Sequence, residues 1–332
     1  MQKLTNLNQA QVDKALIEVY GPRFKEYREK WYRVETSRGT YLPEYPLHLD
    51  LEINGKCNLR CAMCSRSIYG KAMINQGLSR EEIVKILEES QGKSYSLLLG
   101  NNDEPLVDKE KCLWVLEEAT RRGFIDIFLG TNGVLLDEEV ISGIIALKVS
   151  RLTVSIDAAK PATYQAIRGK DAYASVIKNL ELFLKLRARH ASVVPMLRVS
   201  FVEMEANRAE KQEFLEYWDG KADNILIQEC IDLTRTPEEL SERQRQELFA
   251  SKDICLQPFR RLAVSGDGEI YPCCCFISDK KSLGNIKTVS LAQAWNSPYI
   301  KSMRAKLIDK NFKDIPFCAR CVVATAKRQK ND

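Results

Sequence analysis

The segment that decides the fold is His48-Leu-Asp-Leu-Glu-Ile53, an apolar strand, followed three residues later by Cys57-Asn-Leu-Arg-Cys61-Ala-Met-Cys64. Three thiolates separated by three and then two residues can surround one small metal cluster from a single loop, and cysteine thiolates are the usual ligands of iron–sulfur clusters. Three ligands for four irons leave one iron open, and an open metal position is where a substrate or cofactor can coordinate. The segment therefore predicts a catalytic [4Fe–4S] cluster with an open iron site, held by Cys57, Cys61 and Cys64.

The same three cysteines allow two simpler interpretations, a zinc knuckle or a buried trio of thiols. Structural zinc prefers four ligands, commonly cysteine and histidine. The only histidine in this part of the chain, His48, lies inside the predicted strand. The cluster is therefore the favoured interpretation of this loop.

Composition sets the broad class of the protein. The chain has 332 residues, 45% hydrophobic and 29% charged, which is typical of a folded globular protein and excludes a disordered or collagen-like chain. Its 50 basic and 45 acidic residues give a net charge of only +5, so no nucleic-acid partner is expected.

The sequence also gives no indication of a membrane helix or a signal peptide. No apolar run approaches the roughly 18 residues of a membrane helix, and residues 1–10 lack the apolar core of a signal peptide. We therefore expect a cytoplasmic protein without a membrane partner. The cytosol keeps thiols reduced, so the 11 cysteines need a role other than disulfides.

From residue 47 onward, short apolar strands alternate with amphipathic helices. Such alternation predicts parallel βαβ units with right-handed crossovers. The predicted strands are His48–Ile53, Tyr95–Leu99, Ile125–Leu129, Arg151–Ile156, Leu197–Val202 and Asn224–Cys230. Six units predict an α/β fold, a partial (β/α)6 barrel of the TIM type.

The pattern changes on both sides of this barrel. The predicted organisation is a helical extension over 1–46, the barrel over 47–235, a linking helix over 236–254, a small Cys-rich domain over 255–325 and a polar tail over 326–332. The linking helix is expected to begin at the capping box Thr236-Pro237-Glu238-Glu239. The Cys-rich domain opens with a predicted hairpin over Leu262–Tyr271, turning at Asp267-Gly268.

Several further motifs follow the ends of successive predicted strands, where βα barrels carry their chemistry. They are Asn102-Asp103-Glu104-Pro105-Leu106, Thr131-Asn132-Gly133, Val154-Ser155-Ile156-Asp157 and Ile167-Arg168-Gly169. In this order, and together with the first three cysteines, they resemble the motifs of the radical S-adenosylmethionine (SAM) superfamily. The first resembles that family's Gly-Gly-Glu-Pro segment, with Asn102 and Asp103 in place of its two glycines.

The resemblance implies a cofactor, a reaction and several contacts. SAM would chelate the open iron, and its reductive cleavage would yield a 5′-deoxyadenosyl radical that abstracts a hydrogen atom from a C–H bond. Glu104 would bind the SAM ammonium, and Asn132, Ser155 and Asp157 its ribose or carboxylate. The simpler interpretations are a plain β-turn at Asn132 and a strand-end cap at Ser155. An electron donor such as flavodoxin or ferredoxin is implied as a partner.

A second set of cysteines resembles the SPASM/Twitch extension of the same superfamily. Six cysteines lie in this region: Cys255, Cys273, Cys274, Cys275, Cys318 and Cys321. No cysteine follows Cys321, so the pattern resembles the shortened form with one auxiliary iron–sulfur cluster, as in 2-deoxy-scyllo-inosamine dehydrogenases. The implied ligands are Cys255, Cys273, Cys318 and Cys321. Cys274 or Cys275 could replace Cys273, and a four-cysteine zinc site is the alternative.

Cys230 ends the sixth predicted strand on the side where the motifs lie. It is a candidate hydrogen-atom donor, although a small buried hydrophobe is the simpler interpretation. Cys112 lies within a predicted helix and is interpreted as a buried apolar residue. Glu203, Glu205 and Glu229 are candidate bases by position alone.

The sequence is compatible with three functions. The first is a radical SAM oxidoreductase or epimerase that oxidises or inverts a carbinol carbon of a small molecule, a sugar or aminocyclitol. The second is a peptide-modifying maturase of the same superfamily. The third is a non-enzymatic iron–sulfur carrier or zinc module, under which Glu104 and Asn132 have no purpose.

Overall fold

The computed structural model describes residues 7–70, 76–274 and 281–326. Its centre is an eight-stranded sheet with the order β6-β5-β4-β3-β2-β1-β7-β8. The strands are β1 (His48–Leu51), β2 (Ser96–Leu99), β3 (Asp126–Thr131), β4 (Arg151–Ser155), β5 (Met196–Glu203), β6 (Asn224–Glu229), β7 (Arg261–Val264) and β8 (Ile270–Tyr271).

Strands β1 to β6 are parallel and adjacent in chain order, which confirms the predicted partial barrel. All six begin and end within two residues of their predicted bounds. Side chains alternate across the sheet: Leu49 and Leu51 pack under the outer helices, whereas His48 and Asp50 are buried polar residues of the lumen.

Helices surround the barrel and cover its base. They are α1 (Gln9–Tyr20), α2 (Pro22–Thr36), α3 (Ser65–Tyr69), α4 (Arg80–Ser90), α5 (Lys109–Arg121), α6 (Glu138–Ala146), α7 (Pro161–Arg168), α8 (Tyr173–Arg189), α9 (Lys211–Trp218), α10 (Glu242–Ser251), α11 (Leu291–Trp295), α12 (Pro298–Ile308) and α13 (Pro316–Ala324). In the described ranges, none of them combines the length and apolar character that crossing a bilayer requires.

The two N-terminal helices cover the base of the barrel, where the strands begin. Leu16 of α1 and Phe24 and Tyr27 of α2 form one buried cluster with Leu47 and Tyr95, which precede β1 and β2. This cluster fixes α1 and α2 beneath the lumen. The opposite end, at the C-termini of the strands, is therefore the place where an active site can form.

The predicted hairpin forms as β7 and β8, with Gly268 at φ +85° in its turn. The sequence did not predict that β7 also pairs in parallel with β1, over His48 to Leu51 and Arg261 to Val264. In an open barrel the outer edge of β1, opposite β2, would have unpaired backbone groups. Strand β7 provides hydrogen-bond partners for that edge. The C-terminal part of the chain thus extends the barrel sheet.

The predicted start of the linking helix is wrong. The capping box at Thr236 forms, but it closes only a 3₁₀ turn over Pro237–Glu239. Leu240 is extended, and Ser241 provides a second capping box with Gln244. Helix α10 therefore begins at Glu242, because the Ser241 side chain accepts a hydrogen bond from the Gln244 amide in its first turn.

Candidate active site

A cavity of about 980 Å³ runs through the barrel from the C-terminal ends of the strands toward the base. Its upper wall includes Cys57, Cys61 and Cys64, and its lower wall includes Trp31 and Arg151. The volume is of the size that holds small ligands.

The three cysteines lie on one loop, residues 57–64, which we call the cysteine loop. Cys61 is buried, whereas Cys57 and Cys64 are half-buried. The end of α7 fastens this loop: the amide of Ala62 donates to the carbonyl of Ile167 at 2.8 Å. Gly169 has φ +73°, and a Cβ there would lie 2.8 Å from the Arg60 carbonyl oxygen, so only glycine allows this close packing.

Arg168 adds a charged contact to the same loop. Its guanidinium is buried, with Nη1 3.4 Å from Cys61 Sγ and Nη2 2.8 Å from Asp157 Oδ2. Burial raises the pKa of Cys61, and the neighbouring Arg168 opposes that rise. A fixed positive charge beside a sulfur favours the thiolate, which is the form that binds iron.

Glu104 is almost completely buried and bridges the ends of β2 and β3. Its carboxylate accepts hydrogen bonds from the amides of Leu106 (3.1 Å) and Asn132 (2.6 Å) and from Thr131 Oγ1 (2.7 Å). Burial raises its pKa to about 7, although these donors lower it. A carboxylate accepts about four hydrogen bonds, so one position remains for a further donor.

The two residues in place of the family's glycines turn toward the end of β1. Asp103 Oδ2 accepts from the amides of Asn54 (2.9 Å) and Gly55 (3.2 Å), and Asn102 Nδ2 donates to Glu52 Oε1 at 2.6 Å. Asn102 Oδ1 and Asp103 Oδ1 are buried, and neither has a hydrogen-bond partner in the described part of the chain. Burial raises the pKa of Asp103 to about 6. Both residues line the cavity and leave acceptors that suit a cationic ligand.

The remaining predicted SAM contacts also line the cavity. Asn132 Nδ2 donates to Asn58 Oδ1 at 2.7 Å, while its Oδ1 accepts from the Val134 amide, as in an ordinary turn. Ser155 Oγ lies 3.2 Å from Ser200 Oγ. Asp157 is different, because its carboxylate already pairs with Arg168 and accepts from the Val202 amide.

The cysteine loop fits an iron–sulfur cluster by its donors. Burial raises the pKa of Cys57, and the nearby Glu104, Cys61 and Cys64 raise it further, so the three thiols share one electrostatic environment. Among the described residues, no three His, Cys, Asp or Glu side chains converge as ligands of a single metal ion. A four-iron cluster instead takes its thiolates over several irons.

Cys230 is half-buried and lines the same cavity as the cysteine loop. Of the candidate bases, only Glu229 lines the cavity with it. Glu203 instead pairs with Lys211 at 2.9 Å, and Glu205 is exposed outside the cavity lining. Cys112 is fully buried in the main core, in agreement with its expected apolar role.

The auxiliary cysteines gather around the end of β8 and helix α13. Cys318 and Cys321 lie one turn apart on α13, and Cys321 packs with Cys273. Cys255 is exposed, but partial desolvation of its thiol raises its pKa, and the neighbouring Cys273 raises it further. Cys274 is set toward the barrel: burial raises its pKa to about 12, and Arg261 of β7 opposes this. Cys275 lies outside the described residues.

Two features of the site were not predicted from local sequence patterns. The motif Ile167-Arg168-Gly169 gives no sign that Arg168 contacts Cys61. The lumen also holds charged residues at inward strand positions, including Arg151, Arg198 and Arg261. Alternating polar residues in predicted barrel strands would have been the signal for them.

Comparison with known families decides the assignment. The radical SAM superfamily model matches residues 51–205, and the SPASM iron–sulfur cluster-binding domain matches residues 255–322. The chain belongs to the radical SAM superfamily and carries a SPASM domain. Members of this class use a [4Fe–4S] cluster, SAM and an auxiliary iron–sulfur cluster, and these are the cofactors of this protein.

Two curated relatives show how far the similarity extends. The chain is 24% identical over 320 residues to the tungsten-containing aldehyde ferredoxin oxidoreductase cofactor-modifying protein of Pyrococcus furiosus, covering 84% of this chain and 88% of that protein. It is 24% identical over 160 residues to the GTP 3′,8-cyclase of Clostridium acetobutylicum, covering 48% of this chain and 50% of the cyclase. The radical SAM chain thus spans most of the first relative but only half of the second.

Solved structures share the fold. The superposition on anSMEcpe with bound AdoMet has a TM-score of 0.61 at 17% identity, covering 85% of this chain and 92% of the other. The superposition on BtrN in complex with AdoMet and 2-DOIA has a TM-score of 0.52 at 16% identity, covering 88% and 99%. At these identities the likeness concerns the fold alone.

Proposed function

We propose that this radical SAM enzyme is a cytosolic oxidoreductase or epimerase that acts on a carbinol C–H bond of a sugar or aminocyclitol. The observation that carries the proposal is the shared cavity. The cysteine loop, Glu104, Ser155 and Cys230 all line it, so cofactor and substrate positions lie in one space.

In this proposal, Cys57, Cys61 and Cys64 hold the [4Fe–4S] cluster. Glu104 accepts a hydrogen bond from the SAM ammonium at its remaining position, and Asn132 and Ser155 contact other polar groups of SAM. Asp157 holds Arg168 against Cys61. The auxiliary ligands are Cys255, Cys273, Cys318 and Cys321.

When bound, SAM and the first cluster supply a 5′-deoxyadenosyl radical that removes a hydrogen atom, and the auxiliary cluster supplies an electron acceptor. The residues of the chain then determine the outcome at the substrate carbon. Oxidation of a carbinol also needs a base for the hydroxyl proton, and Glu229 is the candidate carboxylate in the cavity wall. Inversion needs a hydrogen atom from the opposite face, and the Cys230 thiol in the cavity wall is the candidate donor. The thiyl radical left on Cys230 would then take one electron from the reduced auxiliary cluster and one proton from water to restore the thiol.

Charged and hydrogen-bonding side chains in the lining of the cavity, among them Arg198, Thr153 and Gln228, support a small polar substrate. The names of the two relatives agree, since one is a cofactor-modifying protein and the other a cyclase of GTP. Reduction of the clusters needs an electron donor, and we propose a flavodoxin or ferredoxin.

The test is anaerobic formation of 5′-deoxyadenosine by the reconstituted enzyme with SAM and reductant. The reaction is run with pooled sugars and aminocyclitols, with pooled nucleotides, with pooled peptides and with no addition. Stimulation by the sugar and aminocyclitol pool supports the proposal. Stimulation by peptides alone would favour peptide modification, and stimulation by nucleotides alone would move the substrate to that class.

Once a substrate is found, Cys230→Ser separates oxidation from inversion. If Cys230 donates the hydrogen atom, the variant should yield oxidised or quenched product in place of the inverted one, as measured by mass spectrometry in deuterated water. Cys112→Ala is the matched control, because Cys112 is buried in the core and does not line the cavity. Unchanged product in Cys230→Ser would remove Cys230 from the mechanism.

A further inference from the structure

The lower half of the barrel lumen is rich in arginine. Four of its guanidinium groups pair with a carboxylate. The pairs are Arg28 with Asp13 (2.8 Å), Arg151 with Asp126 (2.9 Å), Arg260 with Glu35 (3.0 Å) and Arg261 with Asp50 (3.4 Å). These four carboxylates are therefore already engaged.

Arg198 is the exception within the described residues. It points inward from β5 and lines the cavity, and its Nε donates to the neutral Asn224 Oδ1 at 2.8 Å. In the part of the chain that the structure describes, no carboxylate pairs with it. Its two terminal nitrogens are thus left as donors toward the cavity, because a guanidinium has five N–H groups.

The surroundings of Arg198 disfavour its charge. Burial lowers its pKa to about 10, Arg151 lowers it too, and Asp126 opposes this only in part. The group stays protonated at neutral pH despite these influences. A half-buried cation whose nearby carboxylate, Asp126, is already paired with Arg151 is costly, and an anion placed beside it lowers that cost.

The position of Arg198 relates it to the proposed SAM contacts. Ser200 lies two residues further along β5 and its Oγ is 3.2 Å from Ser155 Oγ. Side chains two residues apart point to the same face about 7 Å apart. Arg198 therefore lies one side-chain layer deeper in the lumen than Ser155, with Thr153 and Gln228 also lining the cavity.

We propose that Arg198 is the receptor for an anionic group of the substrate, a phosphate or a carboxylate. The anionic end would enter the lumen first and leave the rest of the molecule near the strand ends, where Ser155 and Cys230 lie. Arginine suits this role because its planar donors bind both kinds of anion in a bidentate manner. As a statement about the substrate this rests on the proposed function, whereas anion binding itself does not.

The experiment measures the affinity of inorganic phosphate and, separately, of acetate for the reconstituted enzyme with SAM, by calorimetry in a phosphate-free buffer. We expect saturable binding of at least one of them, weakened roughly tenfold or more in Arg198→Gln, since a hydrogen bond to a charged group is lost. Arg198→Lys, which keeps the charge, should recover part of the affinity. Arg189→Gln changes an exposed arginine on α8 and should leave the affinity for both anions unchanged.

A second measurement needs no variant, in case Arg198→Gln does not fold. Phenylglyoxal modifies accessible arginines, and peptide mass spectrometry reads each site. Phosphate or acetate should slow modification of Arg198 but not of Arg189. Absence of saturable binding, equal affinity in Arg198→Gln, or absence of protection at Arg198 would each overturn the proposal.

These outcomes are separable from those of the proposed function. If the enzyme binds phosphate through Arg198 but forms no 5′-deoxyadenosine, the proposed reaction fails and the anion site stands. If 5′-deoxyadenosine forms but neither anion binds, the anion site fails alone.

Discussion

At the scale of single residues, two buried charged groups shape the site. Arg168 joins Cys61 to Asp157, and Glu104 joins the ends of β2 and β3. The sequence placed Glu104 at a strand end, because its motif comes directly after a clear apolar strand. It did not reveal the Arg168 contact, since Arg168 and Cys61 are 107 residues apart and only the docking of α7 brings them together.

Replacing Arg168 by Gln should weaken the cysteine loop. The change leaves Asp157 buried without its partner, so we expect a loss of about 3–5 kcal/mol in the free energy of unfolding. Iron bound after reconstitution should also fall, and the electron paramagnetic resonance signal of the reduced cluster should shift. Asp157→Asn combined with Arg168→Gln should be less destabilised than the sum of the two single changes. Lys170→Gln, an exposed neighbour, is the control.

Glu104 predicts a pH dependence of stability. Its pKa in the fold is about 7, against an ordinary value of 4.5, so the protonated form is favoured by folding. The resulting stabilisation, up to about 3 kcal/mol, is complete below pH 4.5 and is lost as the pH rises through 7. The midpoint temperature of thermal unfolding, measured without SAM, should therefore fall more steeply between pH 5 and pH 8 in the wild type than in Glu104→Gln. Parallel curves for the two proteins would contradict this.

At the scale of helices and strands, the six barrel strands were predictable because each is a short apolar run bounded by helical patterns. The pairing of β7 with β1 was not, because two segments more than 200 residues apart carry no local record of their register. The start of α10 was misplaced for a related reason. Two capping boxes stand one after the other, and the pattern does not say which one continues as a helix.

The close approach of β2 and β3 gives a prediction at this scale. Gly100 has φ +93°, and a Cβ there would lie 2.0 Å from the Gly130 carbonyl oxygen. Gly100→Ala should destabilise the fold by about 3 kcal/mol or more in urea unfolding, because the backbone must move. Gly92 is a matched control: it has φ +75° with nothing within 4 Å, so Gly92→Ala carries only the backbone penalty. Equal losses in the two variants would show that the close approach does not matter.

At the scale of the whole molecule, the two groups of cysteines lie on separate elements: the cysteine loop follows β1, and the auxiliary cysteines lie around β8 and α13. The sequence predicted both sites, because cysteine spacing is visible without the fold. It did not predict the charged lumen between the strand ends and the base, where inward residues from β1, β4, β5 and β7 meet. That meeting depends on which face of each strand turns inward.

The two sites should load iron independently. Cys255→Ala or Cys318→Ala should lower the iron content toward half that of the wild type while some SAM cleavage remains. Changing Cys57, Cys61 and Cys64 together to Ala should also lower iron toward half, but with no SAM cleavage. Iron is measured colorimetrically after anaerobic reconstitution, and Cys112→Ala serves as the control. Unchanged iron in the Cys255 or Cys318 variant would contradict the auxiliary assignment.

We propose that the cysteine loop supports reductive cleavage of SAM in this barrel. The most direct test is 5′-deoxyadenosine formed from SAM and reductant under anaerobic conditions, scored by mass spectrometry for the wild type and the Cys57, Cys61 and Cys64 triple alanine variant. We predict 5′-deoxyadenosine from the wild type and none from the variant. Cleavage retained in the variant, or none from a wild type with verified clusters, would rule out this role of the cysteine loop.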